Sequence, residues 1–189
     1  MNTTELVSQF SINRLDGENV PEDLRILVHH RDELAARTGM RLVAEEDWSP
    51  WLDTGALARS IQSDPEAAAR IRATAEVARL IAFVAEDDQG QYLGYWRGPT
   101  RRKITRSPLV LLDETGQFHL CVGSSFAEAI LERAYGGDDF HSLRDWLGSV
   151  GIPITWDTPN QLTFPHERTP PREMHRRLID EYRRSLLSS

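Results

Sequence analysis

The chain reads as an α+β protein, an antiparallel meander sheet backed by several helices in a single domain, with an extra C-terminal helix. Three observations predict this. Between Leu80 and Ala127 four apolar, strand-like runs alternate with hairpin-length turns and a basic loop. Helix patterns with recognisable caps lie on both sides of that block. The segment 170–187 then repeats apolar residues every four positions.

Taken in order, Pro21 opens an amphipathic helix with Leu24, Leu27, Val28, Leu34 and Ala35 on one stripe, and Gly39 just past its end. The following segment, AEEDWSPWLDTG, mixes acids, two tryptophans, a proline and a glycine, a composition for loops rather than regular elements. A second helix spans Asp64 to Arg79. Asp64 is its expected N-cap, Pro65 takes its first position, and Ala67, Ile71, Ala75 and Ala78 form its apolar side.

Next comes the meander: a strand from Leu80, a turn containing Gly90, a second strand, the basic loop, a third strand, a turn at Glu114 to Gly116, and a fourth strand. A helix is expected from Ser125 to Tyr135, stopping at Gly136 and Gly137, and another carries Leu143, Trp146, Leu147 and Val150. Residues 151–170 hold four prolines around IPITW and LTF, where an irregular strand or two is expected. Met174, Leu178, Tyr182 and Leu186 mark the closing helix, which can pack on its own sheet or on a second copy, so a homodimer stays open. The reading is one domain, with a core of about residues 11–150 and a C-terminal extension over 151–189, without internal repeats.

With 189 residues, 40% apolar, the chain can bury one core. Its lone cysteine, Cys121, lies in an apolar run and has no internal disulfide partner, which fits a reduced cytoplasmic setting. The start MNTTELVSQF is not a secretory signal, and the longest apolar run, Leu80 to Ala85, is too short to span a bilayer, so no membrane association is expected. A net charge of −7 argues against direct nucleic-acid binding. The acidity is uneven: residues 1–96 hold 17 acids against nine arginines, whereas residues 97–189 are nearly balanced. Solubility alone accounts for such a charge, and an acidic face for a basic partner is the functional alternative.

Catalytic motifs are sparse. Gly123-Ser124-Ser125-Phe126-Ala127 approximates the nucleophile elbow of serine hydrolases, for which Asp138, Asp139, Asp145, His141, His166 and His175 are the downstream candidates. Ser125 and Glu128 equally form an S-x-x-E capping box, which needs no further partner and suits a meander better. The six histidines show no metal-ligand spacing; His29 and His30 are adjacent on a helix and point about 100° apart. Neither a metal nor a cofactor is expected. Glu86-Asp87-Asp88 falls at a hairpin turn and Glu45-Glu46-Asp47 at a helix exit, both positions for surface charge. Trp48, Trp51 and Trp96 are candidate binding anchors, or else aromatics folded back on the core. The loop Arg97, Arg101, Arg102, Lys103 and Arg106 contains no acid, and reads as a solvated loop, a site for a local acidic partner or a phosphate contact.

Val20-Pro21-Glu22-Asp23-Leu24 at a helix entry resembles the LPxxL-type opening of the SUKH superfamily. The hairpin Asp88-Gln89-Gly90-Gln91-Tyr92, the strand Pro108 to Asp113 and the strand-to-helix passage Val122 to Glu128 are similar to that family's later elements, so the resemblance spans roughly residues 11–135. Only Gly39 stands where the family often has several glycines, the alanine-rich helix is inserted, and the final 50 residues extend beyond the resemblance. What it implies is an α+β fold and, for bacterial members, a noncatalytic immunity protein that neutralises a cognate toxin, often a basic nuclease domain. Another branch implies a scaffold or regulator of cell-wall synthesis. Under the immunity expectation, Glu45, Glu46, Asp47, Trp48, Trp51, Glu86, Asp87, Asp88 and Trp96 are the candidate toxin-binding residues.

Overall fold

The computed structural model describes residues 3–51, 64–134, 137–161 and 163–187. Strands β1 (Met40–Leu42), β2 (Ile81–Asp87), β3 (Tyr92–Trp96), β4 (Leu109–Leu112) and β5 (Phe118–Leu120) lie side by side in chain order, each antiparallel to its neighbours. Among the described residues the helices are α1 (Thr3–Gln9), α2 (Glu22–His29), α3 (Arg31–Thr38), α4 (Pro65–Ala78), α5 (Phe126–Glu132), α6 (Gly137–Ser149) and α7 (Pro171–Leu187). Over the described residues the chain is therefore an α+β meander of five strands, one more than the sequence pattern predicts. At three residues, β1 is too short to display an alternation.

Alternation along the strands gives the sheet two apolar faces. Ala82, Val84, Leu93, Tyr95 and Leu109 point to one side, where Leu24, Leu27 and Val28 of α2, Leu34 of α3, Phe126 and Ile130 of α5 and Phe140 and Leu147 of α6 cover them. Phe83, Trp96, Val110, Leu112 and Phe118 point to the other, against Val77 and Ala78 of α4 and Met174 and Leu178 of α7. The sheet is thus a middle layer, and α7 packs on its own sheet. Its His175 ring meets Phe118 edge-on at 5.1 Å.

A register shift between Phe83 and Ala85 places a bulge in β2 opposite Gly94. The strands approach so closely there that a β-carbon on Gly94 would lie 2.7 Å from the Ala82 carbonyl oxygen and from Phe83 Cα. The bulge turns Glu86 to the α4–α7 side of the sheet and Asp87 to the opposite side, where it meets Arg133. Asp87 is consequently buried: its carboxylate accepts the amides of Gln89 at 3.0 Å and Gln91 at 2.9 Å and pairs with Arg133.

Two expectations change. The helix from Pro21 to Thr38 is broken at His30, which ends α2 and starts α3. In a continuous helix Arg31 would fall at the centre of the stripe of Leu24, Leu27 and Val28; with the break at His30, Arg31 stays half-buried while Leu34 is fully buried. No strand forms among the described residues of 151–170; a short 3₁₀ turn at Pro159–Gln161 is the only regular element there. The expected helix end at Tyr135 and Gly136 lies outside the described residues, as do Leu52 to Gly55 of the acidic loop.

Candidate protein-binding surface

The acidic and aromatic candidates meet on the β1 side of the sheet. After β1, Val43 donates to the Val84 carbonyl at 2.9 Å, and the chain then leaves the sheet with Glu45, Glu46 and Asp47 exposed. These acids follow a strand rather than the expected helix. The chain folds back so that the Trp48 indole N–H donates to Glu86 at 2.8 Å. Trp51 reaches Phe83 at 4.2 Å between ring centroids and Tyr92 at 5.6 Å, while Trp48 stands edge-on to Trp51 at 5.1 Å. Both tryptophans are half-buried, so they pack on the sheet while keeping part of each ring at the surface.

Arg14, which the sequence reading does not single out, holds this segment from the N-terminal side. Its Nη1 donates to the Trp48 carbonyl at 2.9 Å, and its guanidinium lies 5.3 Å from the Trp48 ring centre. Burial lowers its pKa, with Glu45 and Asp47 pulling the other way. Tyr92 is the other contributor beyond the sequence reading. Its pairing with Glu86 across β2 and β3 brings it to the tryptophans, and burial, then Glu86 and Asp87, raise its pKa.

The candidate acids divide by their partners. Glu86 is held by Arg41 as well as Trp48, and Glu45 lies 3.6 Å from Arg41. Asp87 is withdrawn into the fold, so it cannot meet a partner from this surface. Glu46, Asp47 and Asp88 are exposed and have no ion-pair partner among the described residues. Asp88 sits by the start of β1, since Met40 pairs with Asp87, and the other two lie beyond its end, roughly 20 Å along an extended chain. Trp96 belongs to the core rather than to any surface: it is 0% exposed and its indole N–H donates to the Thr169 carbonyl at 3.1 Å.

Ser125 acts as a helix cap. Its hydroxyl oxygen accepts the Glu128 amide at 3.2 Å, and the Glu128 carboxylate accepts the Ser125 amide in return. Gly123 makes this junction with φ +79°, and a β-carbon there would lie 2.5 Å from Glu128 Cβ. Burial alone would raise the Glu128 pKa, but hydrogen bonds from Ser124, Trp156 and Ser125 outweigh it and lower it. Of the histidines considered with Ser125, His166 is exposed and His175 is buried against Thr74 at 3.0 Å.

A cleft of about 760 Å³ brings His119, Cys121, Glu132, Arg133 and Phe164 together. His119 Nε2 lies 2.8 Å from Asp113 Oδ2. Sequence spacing pairs these two across a hairpin turn only once the register is known. Cys121 does not supply a ready thiolate beside them, because burial drives its pKa far up. Among the described residues no three histidine, cysteine, aspartate or glutamate side chains are grouped as metal ligands, and no helix is long and apolar enough to cross a membrane. Compared with protein-family models, curated proteins and solved structures, the chain matches none.

Proposed function

We propose that this chain is a cytoplasmic immunity protein that binds and neutralises one cognate bacterial toxin, with a basic nuclease domain as the target. The observation that carries the reading is the surface beside β1. There, exposed acids without an ion-pair partner among the described residues, Glu46, Asp47 and Asp88, flank the half-buried pair Trp48 and Trp51. Unpaired carboxylates draw in a cationic domain over a distance, and partly exposed rings bury apolar area after contact. The SUKH resemblance of residues 11–135 supports the same role, and the reading needs no catalytic step in this chain.

The test is co-expression with the toxic domain encoded beside this gene, scored by growth and by co-purification. Rescue with a stable complex is expected. In that complex, replacing Glu46, Asp47 and Asp88 with lysine should slow association by about tenfold or more at low salt and flatten its salt dependence. Failure of rescue and of co-purification, with the toxin active and this chain folded, rejects the immunity role and leaves a noncatalytic scaffold or regulator. Rescue with an unchanged association rate keeps immunity but removes this surface from it.

A further inference from the structure

The basic loop has a division of labour that its sequence does not display. Two of its arginines are structural. Arg97, whose side chain is only 11% exposed, pairs with Asp16 and with Glu18 at 2.7 Å and donates to the Arg102 carbonyl at 3.0 Å. Glu18 also accepts the Ile104 amide at 2.9 Å. Arg102 pairs at 2.7 Å with Glu167, whose side chain is 4% exposed. These contacts tie residues 16–18, 97–104 and 167–169 into one unit. Asp16 and Arg101, the described non-glycine residues with positive φ, at 53° and 46°, both present an oxygen to Arg97.

The other cations are left outward. Arg101, Lys103 and Arg106 are exposed, as is Arg168 on the neighbouring segment, and none has an ion-pair partner among the described residues. A hollow of about 430 Å³ separates the two segments, lined by Thr100, Arg102, His166 and Arg168 among others. The carboxylates Asp16, Glu18 and Glu167 are already engaged. A fixed cationic surface therefore stands on a protein of net charge −7.

We propose that loop 97–106 and residues 166–168 form a docking platform for an acidic peptide segment of a partner protein. Three of the four free cations are arginines, whose planar forks match carboxylates in pairs. The internal hydrogen bonds hold the backbone in place before binding, which limits the ordering cost of capture. A polynucleotide fits less well. The chain as a whole repels it, three carboxylates interrupt the cationic surface, and the platform offers a base a single ring, that of His166, rather than a series of stacking aromatics. This surface uses none of the residues assigned to toxin binding and stands independently of that role.

The test uses the full chain and a fluorescent glutamate-serine peptide with about eight carboxylates, with an oligothymidylate of equal charge beside it, followed by anisotropy at about 20 mM and 200 mM salt. The peptide should bind at low salt, more tightly than the oligonucleotide. The variant Arg101→Ser, Lys103→Ser, Arg106→Ser, Arg168→Ser should lose at least about tenfold in affinity with an unchanged circular dichroism spectrum, since all four side chains are exposed. The proposal is overturned if the peptide does not bind, if the variant binds it equally well, or if the oligonucleotide binds more tightly.

Discussion

Glu128 should be worth far more than a helix cap. One of its carboxylate oxygens accepts the Ser124 amide at 2.6 Å, the Ser124 hydroxyl at 3.2 Å and the Ser125 amide at 3.2 Å, and the other accepts the Trp156 indole N–H at 2.7 Å. Glu128→Ala removes the return half of the capping box, worth about 1 kcal/mol. It also leaves a half-buried indole N–H without its charged acceptor, a loss of about 1.5–3 kcal/mol. The expected cost is about 3 kcal/mol at neutral pH, which lowers the urea midpoint by about 1–2 M for a slope of about 2 kcal/mol per molar. Ser125→Ala should cost only about 1 kcal/mol. Because the folded pKa of Glu128 is lowered, its contribution is full above the unfolded carboxylate pKa and disappears as pH falls through the folded value. The gap between Glu128→Ala and the parent should therefore narrow in acid. If Glu128→Ala costs no more than Ser125→Ala, the Trp156 contact carries no energy and the argument fails.

Two further outcomes follow from the fold. Gly94→Ala should lower the thermal midpoint by an amount matching about 2 kcal/mol or more, because backbone on β2 must shift. In contrast, Gly148→Ala, in α6 with nothing within 4 Å of the added carbon, should be neutral or stabilising by up to about 1 kcal/mol; equal effects at the two sites would reject the close approach at the bulge. His175 is held below the ordinary histidine pKa by burial, against the hydrogen bond to Arg70 and with the Arg70 charge reinforcing the shift. The unfolded chain then binds the proton more readily, so stability is full above the unfolded pKa of about 6.5 and declines as pH falls toward the folded value. His175→Gln should flatten the urea midpoint between about pH 7 and pH 5, above most of the carboxylate range; a slope identical to the parent's would show that His175 does not titrate with folding.

What the sequence makes legible here is local. Asp64 caps α4 by accepting the Ala67 amide at 3.0 Å, and Ser125 with Glu128 forms its capping box, because both depend on residues three positions apart. The order of the four meander strands is equally readable from their turns. The candidate surface is legible only in part. Glu46, Asp47, Asp88, Trp48 and Trp51 are where surface chemistry suggests, but Asp87 and Trp96 are diverted by partners 46 and 73 positions away. Those diversions follow from the bulge and from the course of residues 163–170, which no local pattern encodes. The basic loop is a similar case, since what distinguishes Arg97 from Arg101 is Asp16 and Glu18, residues on a segment remote in sequence.

The alanine-rich helix and the C-terminal segment are far apart in sequence, yet they form one layer. Behind the sheet stand Phe83, Trp96, Val110, Leu112 and Phe118, all buried. Helix α4 presents mostly alanines to that side, which permit a close approach but supply little volume. Helix α7 supplies the larger groups, Met174 and Leu178, and its contacts with α4 run along both helices: Thr74 with His175, and Glu66 with Arg183. The extension also accepts the Trp96 indole at Thr169 and sends Trp156 to Glu128 on the opposite layer. Cutting the chain after residue 150 would strip the α7 cover from five large apolar side chains and break two indole contacts and two arginine–glutamate pairs, Arg183 with Glu66 and Arg102 with Glu167. Part of that face would then stay covered, by α4 and by Trp51 on Phe83, so a chain ending at residue 150 should be markedly less stable than the full chain.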